Sequence, residues 1–301
     1  MADSSGQADI RGIDIDKLAK GFADEANILK NHVVMSSTKA REIRWYQKTS
    51  GFLDSADTTA VTLSRLAHVG SRALPVVVEQ TWTRNTSYVK KFFVESPTFS
   101  IEDLKDTDID LLATNVRDLV RAVGRRVDNR IHAILSDATV EGNPLTNGAV
   151  TVLNTAAIAN WDVDATADPI TDILNGQQVV RAQGYESKRM ILGLNSIEHK
   201  RLLAFLINVK GSSIPNFSSE KVTSGVMMEF LGSDVIVSEN FVTDFAYQWI
   251  PSRSVTWKAF MPLTSVVIDD PGIGKKIRVW EEGEAILTDP NSVHIISNTS
   301  S

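Results

Sequence analysis

The clearest pattern of apolar and polar positions in this chain lies between Asp108 and Leu135. Apolar residues recur there about every 3.6 positions, which is the period of an α-helix. This apolar stripe consists of Ile109, Leu112, Val116, Leu119, Val120, Val123, Val127, Ile131 and Ile134. A single glycine is the only helix-weakening residue, so the pattern predicts one helix about 40 Å long. Helices of compact domains average about 11 to 12 residues, so this one must cross a whole subunit or reach beyond it.

Five arginines accompany this stripe. Arg117, Arg121 and Arg125 fall on the side opposite to it, where a charged helix face is usually solvated. Arg126 and Arg130 fall at its edge, where their stems can pack while the charges reach water or the carboxylates of other chains.

Residues 38–100 have a different pattern, in which polar residues interrupt short apolar runs rich in β-branched and aromatic side chains. "ALPVVVEQTWTRN" and "TSYVKKFFVES" predict two strands, and "REIRWYQKT" predicts a strand that pairs with the returning chain. Residues 50–72 then form a long excursion, and excursions beyond about 12 to 15 residues are uncommon without a function or a partner. This one is too apolar to be simply disordered. We therefore predict an extended two-stranded projection that lies on another molecule.

The N-terminal region contains a second helical pattern, in "DIDKLAKGFADEANILKNHVV". Its apolar residues at helical spacing are Ile15, Leu18, Ala19, Phe22, Ala26 and Leu29. The pattern predicts a short amphipathic helix that either folds back on its own domain or serves as an arm on a neighbouring subunit.

The second half of the chain alternates between helices and strands. Asp168 and Pro169 open a predicted helix that Gly184 closes, and "KRMILGL" predicts a buried strand. A second capped helix follows, with Asn195 and Glu198 in the positions of a reciprocal capping box. Strand-rich segments complete the chain, so the order of elements indicates an α+β fold.

Composition excludes several classes of site. The chain has 301 residues, no cysteine and a formal net charge of -6. Disulfides, zinc–thiolate sites and thiol catalysis are therefore excluded. We expect no membrane association, because no run of 18 apolar residues occurs. The acidic balance argues against broad nucleic-acid binding but leaves local basic faces possible.

No arrangement of residues indicates catalysis, a cofactor or a metal. The histidines His32, His68, His132, His199 and His294 are scattered singly. "PGIGKKI" lacks the first glycine and the Ser/Thr of a phosphate-binding loop, so it predicts a turn between strands. "DVDATADP" lacks the turn glycine and the final glutamate of a calcium loop. We therefore predict a protein that is not an enzyme.

Three segments carry a resemblance to a known family: "IDLLATNVRDLVRAVGRRVDNRIHAIL", "FLGSDVIVSENF" and "KIRVWEEGEAILTDPNSVHII". In this order they resemble the spine helix, a central strand and the final hairpin of the major capsid proteins of tailed bacteriophages, which have the Hong Kong 97-type shell fold. The resemblance implies an N-terminal arm at residues 1–40 and an extended loop at residues 41–100. It also implies a peripheral domain at residues 101–138 and 266–301 and an axial domain at residues 139–265.

The implied function is assembly of pentamers and hexamers into an icosahedral shell around a double-stranded DNA genome, with no cofactor. The implied partners are further copies of the chain, a separate scaffolding protein, a portal, and interior DNA bound without sequence specificity. The implied location is the virion, after assembly in the host cytoplasm. Some members of the family link subunits covalently through a lysine in the extended loop. No lysine occurs between Lys48 and Lys90, so we expect no such link here.

The predicted subunit interface lies in the excursion. Phe52, Leu53, Leu63, Leu66 and Val69 are its candidate packing residues, and Arg65 and Arg72 are its candidates for charge pairing. Two alternatives stay open at this point. One is an encapsulin-like compartment whose shell encloses a cargo enzyme, and the other is an α+β enzyme or ligand-binding protein whose long loop is a lid.

Overall fold

The computed structural model describes residues 28–50, 81–102, 111–136, 152–163, 166–185, 189–208 and 229–300. These residues divide into two compact units. Unit 1 comprises those within 28–43, 87–132 and 257–286, and unit 2 comprises those within 44–86, 133–256 and 287–300.

The described elements are thirteen strands, three α-helices and two 3-10 helices. The strands are β1 (Val34–Ser37), β2 (Glu42–Ser50), β3 (Thr81–Tyr88), β4 (Lys90–Glu95), β5 (Phe99–Ser100), β6 (Leu153–Ala156), β7 (Met190–Leu194), β8 (Glu229–Phe230), β9 (Ser233–Val237), β10 (Phe245–Trp249), β11 (Val255–Asp270), β12 (Gly274–Leu287) and β13 (Val293–Ser297). The α-helices are α1 (Leu111–Leu135), α2 (Pro169–Ala182) and α3 (Ser196–Asn208), and the 3-10 helices are Lys30–His32 and Pro290–Ser292. None of the described helices is long and apolar enough to span a membrane.

Helix α1 packs its apolar stripe against a five-stranded sheet. The sheet has the strand order β1-β11-β12-β4, and β5 also pairs with β12. Val116, Val120 and Val123 of α1 are buried together with Ile277 and Val279 of β12. Burial of each such side chain contributes roughly 1.5–3 kcal/mol. The prediction of a long amphipathic helix is confirmed over the described residues, while Ile109 of the predicted stripe lies outside them.

The prediction for Arg130 is wrong. Its side chain is buried, and its Nε donates to Oε1 of Glu284 on β12 of the same chain at 2.7 Å. Burial raises the pKa of the Glu284 carboxyl, and the hydrogen bond from Arg130 opposes this rise. The partner of this charge lies 154 residues away in sequence, so helical periodicity alone gives no sign of it. Arg126, the other arginine at the edge of the stripe, is exposed as predicted.

Unit 2 contains a six-stranded mixed sheet with the order β6-β13-β10-β7-β9-β8. The β6–β13 and β7–β9 pairs are parallel, whereas β13–β10, β10–β7 and β8–β9 are antiparallel. Leu192 and Leu194 of β7 pack with Ile173 of α2 and with Leu202 and Leu206 of α3. Helices on a mixed sheet confirm the predicted α+β class.

The predicted caps at Asp168 and Asn195 are both present, but Glu198 does not bond back to Asn195. Asp168 accepts a hydrogen bond from the backbone N–H of Thr171 at 3.4 Å, and Gly184 has the left-handed φ of 90° expected just beyond a helix end. Asn195 accepts from the backbone N–H of Ile197 at 3.1 Å. Glu198 instead accepts from the backbone N–H of Asp244 at 2.9 Å, so the reciprocal capping box is wrong and this buried carboxylate ties α3 to the start of β10.

The end of the chain does not form the predicted final hairpin. Strand β12 neighbours β11 and β4, and the turn between β11 and β12 contains Gly272 with a φ of 79°. This confirms the turn predicted for "PGIGKKI". The 3-10 helix Pro290–Ser292 interrupts the chain after β12, and β13 then pairs with β10 and β6. Residues 287–300 therefore group with unit 2, whereas the predicted boundary joined residues 266–301 in one domain.

His294 on β13 gives the first testable prediction. It is buried, its Nε2 lies 3.0 Å from Oγ1 of Thr155, and burial lowers its pKa to about 4. The native state therefore binds fewer protons than the unfolded chain, in which histidine has a pKa of about 6.5. The resulting stabilisation is complete above pH 6.5 and is lost as the pH falls towards 4, by roughly 3 kcal/mol.

The measurement is urea unfolding of the wild type and of His294→Gln between pH 4 and pH 7.5. We expect the difference between their unfolding free energies to shrink as the pH falls, because glutamine does not titrate. The comparison with the wild type removes the contribution of His132, whose pKa burial also lowers to about 4. A difference that is constant over this range would contradict the assignment.

Candidate assembly interface

All seven residues of the predicted interface lie within residues 51–80, outside the described part of the chain. They are Phe52, Leu53, Leu63, Arg65, Leu66, Val69 and Arg72. The structure does describe the two strands that flank this loop, because β2 pairs with β3 in a separate two-stranded sheet. The predicted pairing of "REIRWYQKT" with the returning chain is thus confirmed. We call this β2–β3 pair the loop stem.

One side chain fixes the loop stem to the interior of unit 2. Trp45 is buried, and its indole Nε1 donates to the carbonyl oxygen of Leu287 at 3.1 Å. A buried indole contributes a large apolar area, and its one polar group is satisfied here. This contact therefore fixes the position of β2 on unit 2.

The outward side of the loop stem carries aromatic and arginine side chains. Successive strand residues point to opposite faces, so Trp82, Arg84 and Thr86 of β3 share one face, and all three are exposed. Trp82 is 54% exposed and Tyr46 of β2 is 63% exposed. Tryptophan, tyrosine and arginine are the residues most enriched among those that dominate binding at protein interfaces. This surface is a candidate contact that the sequence reasoning missed.

A second exposed surface lies on the five-stranded sheet of unit 1. Phe93 of the edge strand β4 is 49% exposed. The Nζ of Lys91 lies 5.2 Å from the centre of its ring and 5.6 Å from that of Trp280. Glu95 on the same strand pairs with Lys276 at 2.9 Å and with Arg278. Cations placed on aromatic faces make this surface amphipathic.

The titratable groups with the largest pKa shifts already have structural partners. Asp128 is buried, and its carboxylate accepts backbone N–H groups from Ile28, Leu29 and Lys30 at 2.8–3.2 Å. Burial raises its pKa to about 6, and these hydrogen bonds oppose the rise. Such groups hold the fold together, and their acceptor positions are used by the protein itself.

The described residues offer no metal centre, and the acidic residue of their one described groove already has partners. A groove between β6 and α2 contains Asp172, but its carboxylate accepts from the backbone N–H of Ile158 at 3.0 Å and from Nε1 of Trp161 at 2.9 Å. Across the part of the chain that the structure covers, no three His, Asp or Glu side chains are grouped to hold a metal ion.

Comparison with protein families gives the decisive observation. A family described as "Phage capsid protein" matches residues 98–290, which is more than half of the chain. This chain belongs to the phage capsid protein family. The match includes α1, α2 and α3 and all the strands from β5 to β12. The comparison with curated proteins gave no match.

Solved structures extend the likeness over nearly the whole capsid protein. The virus-like particle of Pyrococcus furiosus is 11% identical with a TM-score of 0.62, and the alignment covers 95% of this chain and 99% of that one. The capsid of the cyanophage P-SCSP1u is 9% identical with a TM-score of 0.65 and coverages of 92% and 89%. Mycobacterium phage Ogopogo is 17% identical with a TM-score of 0.60 and coverages of 90% and 92%. The shared fold is the Hong Kong 97-type shell fold, as the sequence resemblance predicted.

Proposed function

We propose that this capsid protein is the major capsid protein of a tailed bacteriophage, and that many copies assemble into the icosahedral shell that encloses its double-stranded DNA. The observation that carries the proposal is the loop stem. It presents Trp82 and Tyr46 outward and leads into a 30-residue segment, residues 51–80, that contains the predicted apolar contact residues. A single copy gains nothing from exposing such side chains, whereas a neighbouring subunit can bury them.

Shell stability then comes from repetition. An interface of about 1,000 Å² is moderate by itself, but each subunit of a closed shell repeats it. In this proposal Phe52, Leu53, Leu63, Leu66 and Val69 pack on a neighbour while Arg65 and Arg72 pair with its carboxylates. Trp82 and Tyr46 would extend the contact along the stem. The protein's role is mechanical, and it needs no cofactor.

The domain roles follow from the same proposal. Unit 1, with α1 on its five-stranded sheet, would contribute the peripheral part of the subunit. Unit 2, with its mixed sheet and two helices, would contribute the axial part, around which pentamers and hexamers form. Residues 1–40 would act as an N-terminal arm. The further partners are a separate scaffolding protein and a portal, and assembly would take place in the host cytoplasm.

The test of the loop assignment is a charge placed in its apolar segment. We expect Leu66→Asp to leave soluble subunits or capsomers, because burial of an unpaired carboxylate at every copy of the interface costs several kcal/mol per contact. Leu66→Met is the matched control, because methionine retains the apolar volume, and it should assemble normally. Electron microscopy and sedimentation of the two purified variants give the answer. Normal particles from Leu66→Asp would count against the assignment.

The same comparison of assembly can be made at the loop stem with Trp82→Asp as the test and Trp82→Phe as the control.

The content of wild-type particles is a separate readout. Double-stranded DNA of uniform length supports a genome shell, whereas an enclosed protein would favour a cargo compartment.

A further inference from the structure

Three buried polar atoms of unit 2 have no hydrogen-bond partner among the described residues. They are Oε2 of Glu198, Nη1 of Arg201 and Oγ1 of Thr299. Glu198 and Thr299 are fully buried, and Nη1 of Arg201 is shielded from solvent although the rest of its side chain is partly exposed. Buried polar atoms of native proteins almost always have a protein or water partner, so three together require an explanation.

Two of these atoms belong to residues that are joined through Asp244. Oε1 of Glu198 accepts from the backbone N–H of Asp244 at 2.9 Å, and the carbonyl oxygen of Asp244 accepts from the backbone N–H of Thr299 at 3.2 Å. Oδ1 of Asp244 also accepts from the backbone N–H of Ser300 at 2.7 Å. Asp244 and Asn298 have left-handed φ angles of 74° and 58°, so the chain bends sharply on both sides of this contact. Residues 299 and 300 are thereby tied to the first turn of α3.

The third atom belongs to the same closed ring of contacts. The carbonyl oxygen of Thr299 accepts from the backbone N–H of Trp161 at 2.9 Å. The carboxylate of the next residue, Asp162, lies 3.5 Å from Nη2 of Arg201. Helix α3 closes the ring, because Glu198 and Arg201 are three residues apart on it and side chains at this spacing are neighbours. We call this arrangement the polar ring.

The three atoms without partners have complementary chemistry. A guanidinium nitrogen only donates, an ionised carboxylate oxygen only accepts, and the hydroxyl of Thr299 can do either. A water molecule can accept from Arg201, donate to Glu198 and bond to Thr299 at the same time. Buried waters typically make about three hydrogen bonds to groups that the protein leaves unsatisfied. A metal ion fits less well, because the guanidinium group in the same ring would repel it.

We propose that the polar ring binds one water molecule, which bridges Glu198, Arg201 and Thr299 and joins α3 to the segment that contains residues 299 and 300. The site lies within unit 2, so the inference does not depend on the proposed shell function. The water would be a permanent part of the fold, since no polar group of the ring could replace all three of its hydrogen bonds.

The direct test is an experimental map of the wild-type protein at a resolution that shows ordered water. We expect one peak about 2.8 Å from both Oε2 of Glu198 and Oγ1 of Thr299, within hydrogen-bond distance of Nη1 of Arg201.

The energetic test is a double-mutant cycle in urea unfolding of the full-length protein. Thr299→Val should raise the equilibrium constant of unfolding about fivefold and Arg201→Met about tenfold. The double variant should also raise it about tenfold, because the shared water is lost only once. Thr299→Ser, which keeps the hydroxyl, should stay within about twofold of the wild type. The control cycle pairs Thr299→Val with Asp162→Asn, and these two effects should multiply because Asp162 does not contact the water.

Three results would overturn the inference. One is a pair of effects that multiply for Thr299→Val and Arg201→Met, which would show that no ligand couples the two side chains. Another is a map in which Arg201 contacts Glu198 directly, with no density between them. The third is a peak only about 2.4 Å from the oxygen atoms together with an unfolding midpoint that falls in a chelator, which would assign a bound metal ion.

Discussion

Replacing Arg130 with alanine is expected to lower the free energy of unfolding by about 3–5 kcal/mol. The guanidinium of Arg130 is buried against the Glu284 carboxylate, which is fully buried. Removal of the arginine leaves this carboxylate in the interior without its ionic partner. The burial that already raises the pKa of Glu284 would then act unopposed by Arg130, so the carboxylate must either take up a proton or destabilise the fold.

Arg126→Ala is the matched control for this prediction, since Arg126 lies on the same helix with an exposed side chain. It should change the unfolding free energy by less than about 0.5 kcal/mol. The double variant Arg130→Met with Glu284→Leu should recover most of the loss, because it replaces both charges with apolar groups. Urea unfolding followed by circular dichroism measures all four proteins. Equal stability of Arg130→Ala and Arg126→Ala would refute the buried pair.

Replacing Asp128 with alanine is expected to release residues 28–32 from α1. The carboxylate accepts three consecutive backbone N–H groups, those of Ile28, Leu29 and Lys30. Each buried donor left without an acceptor costs about 1–3 kcal/mol, so we expect residues 28–32 to lose their protection against hydrogen exchange while α1 keeps its own. Asp128→Asn should fall between this variant and the wild type, because its amide oxygen can still accept.

The pH dependence of this contact has a definite sign. Because burial raises the folded-state pKa of Asp128 to about 6, the native state binds more protons than the unfolded chain between roughly pH 4 and pH 6. The contribution of Asp128 to stability is therefore complete below about pH 4 and is lost as the pH rises through 6. Asp128→Asn should abolish this component. An unchanged pH profile in that variant would show that Asp128 does not titrate in this range.

The parts of the fold that sequence predicted are those encoded by neighbouring residues. Helix α1 could be predicted because its apolar stripe repeats over many turns, and α2 because Asp168, Pro169 and Gly184 mark its ends locally. The failures concern partners distant in sequence. Strand β13 pairs with β10 and β6, and Glu198 accepts a hydrogen bond from the backbone N–H of Asp244. Tertiary packing selects these partners among several that look equivalent in the sequence.

The candidate interface was predicted in part. The loop between β2 and β3 could be predicted because the segment is too long for an ordinary connection and too apolar to be simply disordered. Its seven named contact residues stay predictions. Trp82 and Tyr46 were missed, although a signal was present: in "TWTRNTSY" the large aromatic and arginine side chains occupy alternate positions. Alternation of this kind places them on one face of a strand. The structure, not the pattern, shows that this face is exposed.

The position of β13 has a consequence for synthesis of the protein. This strand lies between β6 and β10 and is second from one edge of its sheet, yet it is translated after all the other strands of that sheet. A nascent chain therefore cannot close the sheet until the ribosome has made residues 293–297. Until then β6 has no partner in this sheet, and the edge of β10 that pairs with β13 is unpaired.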